Sequence, residues 1–257
     1  MIGKTITLEN DVDLNNQDWT PINLKGGISF DGNGHTISNL RVEETITRGY
    51  GAGFIGNATG AITIKDLTFD NAYVDTPAAN VVGIVMGYSY GTTVFENVKV
   101  TNSTVDGFGK VGIMLGMGAD PGISVTFKNC VSENNTIKAA YNAGGLAGNI
   151  QRKDGVDNTK IENCAVQNNK FVQSPGKKYV TLNGEEATFS SNDKANGEMS
   201  SRALSGLYWD DGDYYWGAYG TYYVSYGSSS YDAPITTEGE HQGNVIANSE
   251  ICVDSVQ

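Results

Sequence analysis

The feature that most constrains this chain is an element it repeats: Asp66-Leu67, Asn97-Val98, Asn129-Cys130 and Asn163-Cys164. Five residues after each Asp or Asn comes another asparagine, at Asn71, Asn102, Asn134 and Asn168. Three residues beyond each of those stands an apolar side chain: Val74, Val105, Ile137 and Phe171. The pairs recur at steps of 31, 32 and 34 residues. Self-similarity at this period marks a solenoid in which each repeat is one structural rung.

Aligning the repeats on the Asp or Asn shows how a rung is built. Ile62 to Phe69 alternates apolar and polar residues, as a half-buried strand does. Two residues before the Asp/Asn stand Ile64, Phe95, Phe127 and Ile161, with Ile37 read as an earlier copy. One residue after it stand Leu67, Val98, Cys130 and Cys164, with Leu40 earlier. Stacked, these columns form a continuous core, each filled site contributing roughly 1.5–3 kcal/mol. A third column holds Phe69, Val100 and Val166 but is interrupted by Ser132.

Asparagine suits the corners because it enters the left-handed backbone region more readily than most residues. Stacked side-chain amides can also hydrogen-bond from one rung to the next, as in other asparagine ladders. Cys130 and Cys164 share a repeat position, which predicts two inward-facing small apolar side chains about 4.8 Å apart. A disulfide between them is within reach by distance but awkward for parallel in-register strands.

A second motif interleaves with the first: Gly53-Phe54-Ile55-Gly56, Gly83 to Gly87, Gly112 to Gly116 and Gly145-Leu146-Ala147-Gly148. It reads as a short buried strand bracketed by glycines where backbone packs closely. Rungs of roughly 30 residues with at least two strands each stack into a parallel β-helix. The crossover preference of parallel strands makes it right-handed.

The opening Ile6-Thr7-Leu8, Asp11 to Leu14, Trp19-Thr20-Pro21-Ile22 and Phe30 to Leu40 resemble the first rungs of bacterial GLUG-repeat surface proteins. The Gly-Phe-Ile-Gly and Gly-Leu-Ala-Gly cores resemble that family's namesake element. The resemblance covers about residues 5–173. It implies a pectate-lyase-like right-handed β-helix in an exported, adhesin-like cell-surface protein, and it does not imply an enzyme. There is no charged-then-apolar leader at Met1, where strand-like sequence begins at once, so export is not judged from this end.

After Phe171 the period is lost, and Gln173 to Ser201 is polar with turn signals at Pro175-Gly176 and Asn183-Gly184. Gly206-Leu207 reads as a return of the glycine-bracketed strand, and Ile246-Ala247-Asn248 as a last rung able to cap the open end of the stack. The chain is thus expected to be one all-β domain. Regular rungs span 1–173, an irregular insertion with an aromatic hairpin spans 174–245, and a closing rung spans 246–257.

The insertion carries the candidate site: Tyr208, Trp209, Asp210, Asp211, Asp213, Tyr214, Tyr215, Trp216 and Tyr219. Asp211-Gly212 between aromatic β-formers is a hairpin signal. Tyr and Trp offer a flat apolar face with a polar handle, suited to stacking on sugar rings or on a protein partner. The same rings could instead pack on the flank of the solenoid and hold the insertion down. Calcium binding by Asp210, Asp211 and Asp213 is disfavoured, because the alternating spacing and distal Glu of a calcium loop are missing.

Several function classes lose support. A formal net charge of −12 opposes nucleic-acid or anionic-membrane binding. No apolar run approaches a membrane span. The glycine-rich Gly144 to Gly148 lacks the Lys-Ser/Thr of a phosphate loop, and no cofactor or metal motif is present. The triplets at Asn57, Asn102 and Asn134 match glycosylation acceptors at the frequency an Asn-rich chain produces. Polysaccharide-cleaving β-helices need converging carboxylates with His, Arg or Lys support. The two histidines, His35 and His241, lie in turn-like and polar segments. Asp210-Asp211 is the best catalytic pair on offer, with Asp213 beside it. The sequence reading is a non-catalytic surface module that binds glycan or a surface protein through the aromatic segment. The alternatives are a lyase or glycosidase, and a structural spacer.

Overall fold

The computed structural model describes residues 3–43, 51–76, 79–118, 123–139, 142–150, 159–173, 181–182, 185–186, 207–210, 213–216, 245–247 and 250–253. Among these, the strands stack as a parallel β-solenoid. One coil runs through Ile62–Asp70, Tyr73–Thr76, Val81–Gly83 and Met86–Ser89. Strand Thr93–Thr101 then lies in register on Ile62–Asp70. The path repeats through Thr104–Gly107, Lys110–Gly112 and Leu115–Gly118, and again through Thr136–Ala139, Asn142–Gly144 and Ala147–Ile150.

The corner residues set this path. Asp66, Asn97, Asn129 and Asn163 have φ between 51° and 54°, and Asn71, Asn102, Asn134 and Asn168 between 53° and 57°. Both columns therefore sit in the left-handed region, which most side chains enter at a cost and Asn and Asp enter more easily. Within Ile62–Asp70 the left-handed Asp66 resets the alternation, so Ile64 and Leu67, three residues apart, are both buried. A strict two-residue period would send one of them to solvent.

The amide ladders form as expected. Asn97 Nδ2 donates to Asp66 Oδ1 at 2.6 Å, Asn129 to Asn97 at 2.9 Å and Asn163 to Asn129 at 3.4 Å. In the second column Asn71 donates to Asn39 at 2.6 Å and Asn39 to Asp13 at 2.7 Å, while Asn102 donates to Asp70 at 2.7 Å.

Inside, Phe30, Ile64, Phe95, Phe127 and Ile161 form one column, with Phe95 and Phe127 stacked at 5.0 Å. Leu67, Val98, Cys130 and Cys164 form a second, and Val74, Val105 and Ile137 a third. The break at Ser132 is repaired by a buried polar network. Asn135 donates to Ser132 Oγ at 3.2 Å and to the Val100 carbonyl at 3.0 Å, and accepts the Ser103 backbone N–H at 2.9 Å. Asn169 accepts the Asn135 N–H at 2.9 Å and donates to the Ser132 carbonyl at 2.9 Å. A hydroxyl in an apolar column is tolerated because its partners are built in.

Three sequence expectations need correction. The earlier copy was aligned to the wrong corner: Ile37 pairs with Phe69, and Asn39 stacks with Asn71 rather than Asp66. The residue matching Ile64 is Phe30, because this coil turns through Gly32, Asn33, Gly34 and His35 where later coils use one residue. The glycine-bracketed motif is not one strand but a tight arch between two, such as Val81–Gly83 and Met86–Ser89. Glycine is required because the two arms touch: a Cβ on Gly83 would meet the Met86 carbonyl, and one on Gly148 would lie 2.5 Å from Val111 N. The glycine aligned with Gly83 and Gly112 is Gly144, not Gly145. Finally, Leu207 pairs antiparallel with Ala143, so this segment does not continue the parallel rungs.

Strand Val245–Ala247 pairs in parallel with Ala165–Gln167, and Glu250–Val253 with Lys170–Gln173. The charged residues of the long sheet lie outside this core. Asp31, Lys65, Glu96, Lys128 and Glu162 form an outward column of alternating sign, with Lys65–Asp31 and Lys128–Glu96 both at 2.7 Å. Such exposed pairs contribute little each but disfavour a slip of register.

Candidate binding surface

The aromatic segment forms two antiparallel strands, Leu207–Asp210 and Asp213–Trp216. Their register sets Tyr208 opposite Tyr215, Trp209 opposite Tyr214 and Asp210 opposite Asp213. The pairing of Leu207 with Ala143 adds them to the sheet that holds Asn142–Gly144 and Lys110–Gly112. Asp211 and Tyr219 lie outside the described residues.

His35 Nδ1 lies 3.1 Å from Asp11 Oδ1, and the Thr36 N–H donates to the same oxygen at 2.9 Å. These bonds, the backbone one foremost, hold the Asp11 carboxyl below its usual range. They tie the first coil to the second. Asp13 and Asp31 are lowered likewise, by Asn39 and Lys65 respectively. Among the described residues no group of three or more His, Cys, Asp or Glu side chains converges as a metal site would require.

Cys130 and Cys164 lie in the buried column, with the Cys130 N–H 3.4 Å from Cys164 Sγ. Burial pushes the Cys130 thiol up, as expected of an inert core sulfur.

Two exposed tyrosines on the solenoid body escaped sequence reasoning. Tyr73 is 36% exposed, donates to Asp75 Oδ2 at 2.8 Å and lies under the Arg41 guanidinium. Tyr90 is 42% exposed and stacks on Tyr88 with ring centroids 5.3 Å apart at 21°. The Tyr-Ser-Tyr alternation was a legible signal, since every second residue of a strand shares a face.

Neither a protein-family model nor a solved structure matches the chain. Over 91 residues, 34% of its length, it is 40% identical to Halomucin of Haloquadratum walsbyi. That stretch is 1% of Halomucin, so the chain spans only a small fraction of this relative.

Proposed function

We propose that the chain is a non-catalytic extracellular or cell-surface module that binds glycan through its Tyr/Trp-rich C-terminal segment. The observation that carries this reading is the strand register of 207–216. Positions directly opposite in an antiparallel pair share a face. Trp209 is therefore opposite Tyr214 on one face of the two-stranded unit, with Trp216 two residues along on the same face, while Tyr208 and Tyr215 share the other. Flat rings with polar handles suit the apolar faces and hydroxyl rims of sugars.

The scaffold reading is a right-handed coil of the GLUG-repeat kind, from the repeat motifs and the crossover preference. Its aromatic segment is taken as an insertion from that coil. Export is inferred from the GLUG resemblance, and the partial likeness to a protein named Halomucin points the same way. The opposition of Asp210 and Asp213 favours a second reading, a polysaccharide-cleaving enzyme with these carboxylates as its acid and base.

A glycan-array measurement on the chain and on a Trp209→Ala, Trp216→Ala variant tests the proposal. Binding that is lost in a variant with an unchanged circular dichroism spectrum is the expected result. Binding unaffected by the double substitution would remove the aromatic segment from the account.

A further inference from the structure

The aromatic hairpin joins the solenoid through the pairing of Leu207 with Ala143, and that pairing gives the hairpin two unlike sides. Ala143 is 4% exposed and belongs to the apolar core. Opposite residues of an antiparallel pair share a side of the sheet. Alternation then puts Leu207, Trp209, Tyr214 and Trp216 at core-side positions, and Tyr208, Asp210, Asp213 and Tyr215 on the other side. Polarity divides the same way: the leucine and both tryptophans fall on the core side, and the two aspartates on the other.

Each side has its own counterpart in the stack. Ile246 pairs with the buried Val166, and Ile251 with Phe171, which is in register with the buried Ile137. The coil above Ala165–Gln167 and Lys170–Gln173 thus has apolar core-side positions on two walls, and the hairpin, beside Asn142–Gly144, occupies a further wall of that end. On the other side, earlier coils are covered by a neighbouring sheet. A Cβ on Gly116 would lie 2.6 Å from Val81 Cγ1, and one on Gly148 2.5 Å from Val111 N. The last described strand of that neighbouring sheet, Ala147–Ile150, therefore lies over Lys110–Gly112. Among the described residues no strand of it lies over the hairpin.

We propose that the hairpin is a two-sided element: its Leu207, Trp209, Tyr214 and Trp216 side closes the C-terminal end of the core, and its Tyr208 and Tyr215 side meets glycan. This rests on the glycan-binding reading above and assigns that reading to particular residues. Burial of the leucine and two tryptophans removes the most apolar area from water, so that side is the one the core takes. Tyr208 and Tyr215, directly opposite one another, offer adjacent ring positions for one sugar. Asp210 and Asp213 beside them accept its hydroxyls and select a neutral polymer over a uronate or sulfated one. Trp209 and Trp216 are then positioning residues, whose loss releases the platform while the coils beneath keep their circular dichroism.

The test sets Tyr208→Ala, Tyr215→Ala against Trp209→Ala, Trp216→Ala in the full chain. Each is read by thermal unfolding and by retardation in gels holding a soluble β-glucan, an α-glucan, a mannan or polygalacturonate. The tyrosine variant is expected to lose retardation roughly tenfold or more, as for aromatic anchors. Its melting temperature should stay within about 2 °C of wild type, as for surface substitutions. The tryptophan variant is expected to melt about 5 °C or more lower, as for core truncations. Equal falls in melting temperature, or a tryptophan variant that melts as wild type does, overturn the assignment of sides. Retardation unchanged in the tyrosine variant overturns the ligand side, as does retardation by polygalacturonate alone. Absence of wild-type retardation by every polymer overturns the glycan reading, and the two melting temperatures still decide the sides.

Discussion

Asn97 donates its side-chain amide to the Asp66 carboxylate one coil earlier, at 2.6 Å. Asp66 has acceptors only, so it ends a ladder whose donors all point toward the N-terminal coils. Asp13 ends the Asn71–Asn39 ladder in the same way, and Asp70 receives Asn102. The corner columns thus combine two tasks, a left-handed turn and an inter-coil bond.

Substitutions at Asn97 separate these tasks. Asn97→Gly removes the bonds to Asp66 and Asn129 but keeps the φ of 54° accessible, at a cost of about 1–2 kcal/mol. Asn97→Ala adds the left-handed cost, a further 1 kcal/mol or about that. Urea midpoints should therefore fall in the order wild type, Gly, Ala. An alanine variant as stable as the glycine variant would contradict the corner account.

Glycine at the Gly83, Gly112 and Gly148 positions of the arches answers to contact rather than to φ. Gly148→Ala places a methyl 2.5 Å from Val111 N and should cost about 3 kcal/mol, the upper range for overpacking. Gly34→Ala meets nothing within 4 Å and carries only the strain of φ 82°, about 1 kcal/mol. Thermal or urea unfolding of the two variants checks the difference.

The Ser132–Asn135 network predicts coupling. Ser132→Val leaves an Asn135 donor short of an acceptor, and Asn135→Ala strands the buried Ser103 N–H. Each single change should destabilise by about 1–3 kcal/mol, and the double variant by less than the sum. Strict additivity in a double-mutant cycle would contradict the network.

Acid should loosen the first coils. Asp11, Asp13 and Asp31 have folded-state values lowered from 3.8, by hydrogen bonds from Thr36, Asn39 and Lys65 first of all. Their stabilisation is complete above the unfolded carboxylate range and is lost as pH falls below about 4 through the folded values. Trp19, stacked on Phe54 at 4.9 Å, reports it by fluorescence in the Trp209→Ala, Trp216→Ala background. An acid transition seen equally by probes in the later coils would contradict an N-terminal origin.

Legibility in the sequence followed locality. The Asn corners and the Ile64 and Leu67 columns were readable because one residue, with its φ and its neighbour one rung away, decides each. The Gly83–Gly87 arch was misread as a strand, since four or five buried residues between glycines look alike whether straight or folded over. Asn39 was misplaced because the Gly32–His35 corner changes the local spacing without changing the motif. The pairing of Asn135 with Ser132 and Ser103 depends on which side chains meet across coils, which no single repeat encodes. Of the candidate site, the hairpin strands were readable from Asp211-Gly212 between aromatic β-formers, and the Tyr88–Tyr90 pair is legible in its Tyr-Ser-Tyr spacing.

The most direct test of a binding, non-catalytic module is retention on an immobilised polysaccharide that scores in the array, with reducing ends followed in the eluate. Retention of the intact chain with no new reducing ends, and its loss in the Trp209→Ala, Trp216→Ala variant, is the predicted result. Release of reducing ends that stops on Asp210→Asn or Asp213→Asn would contradict it and make the chain an enzyme.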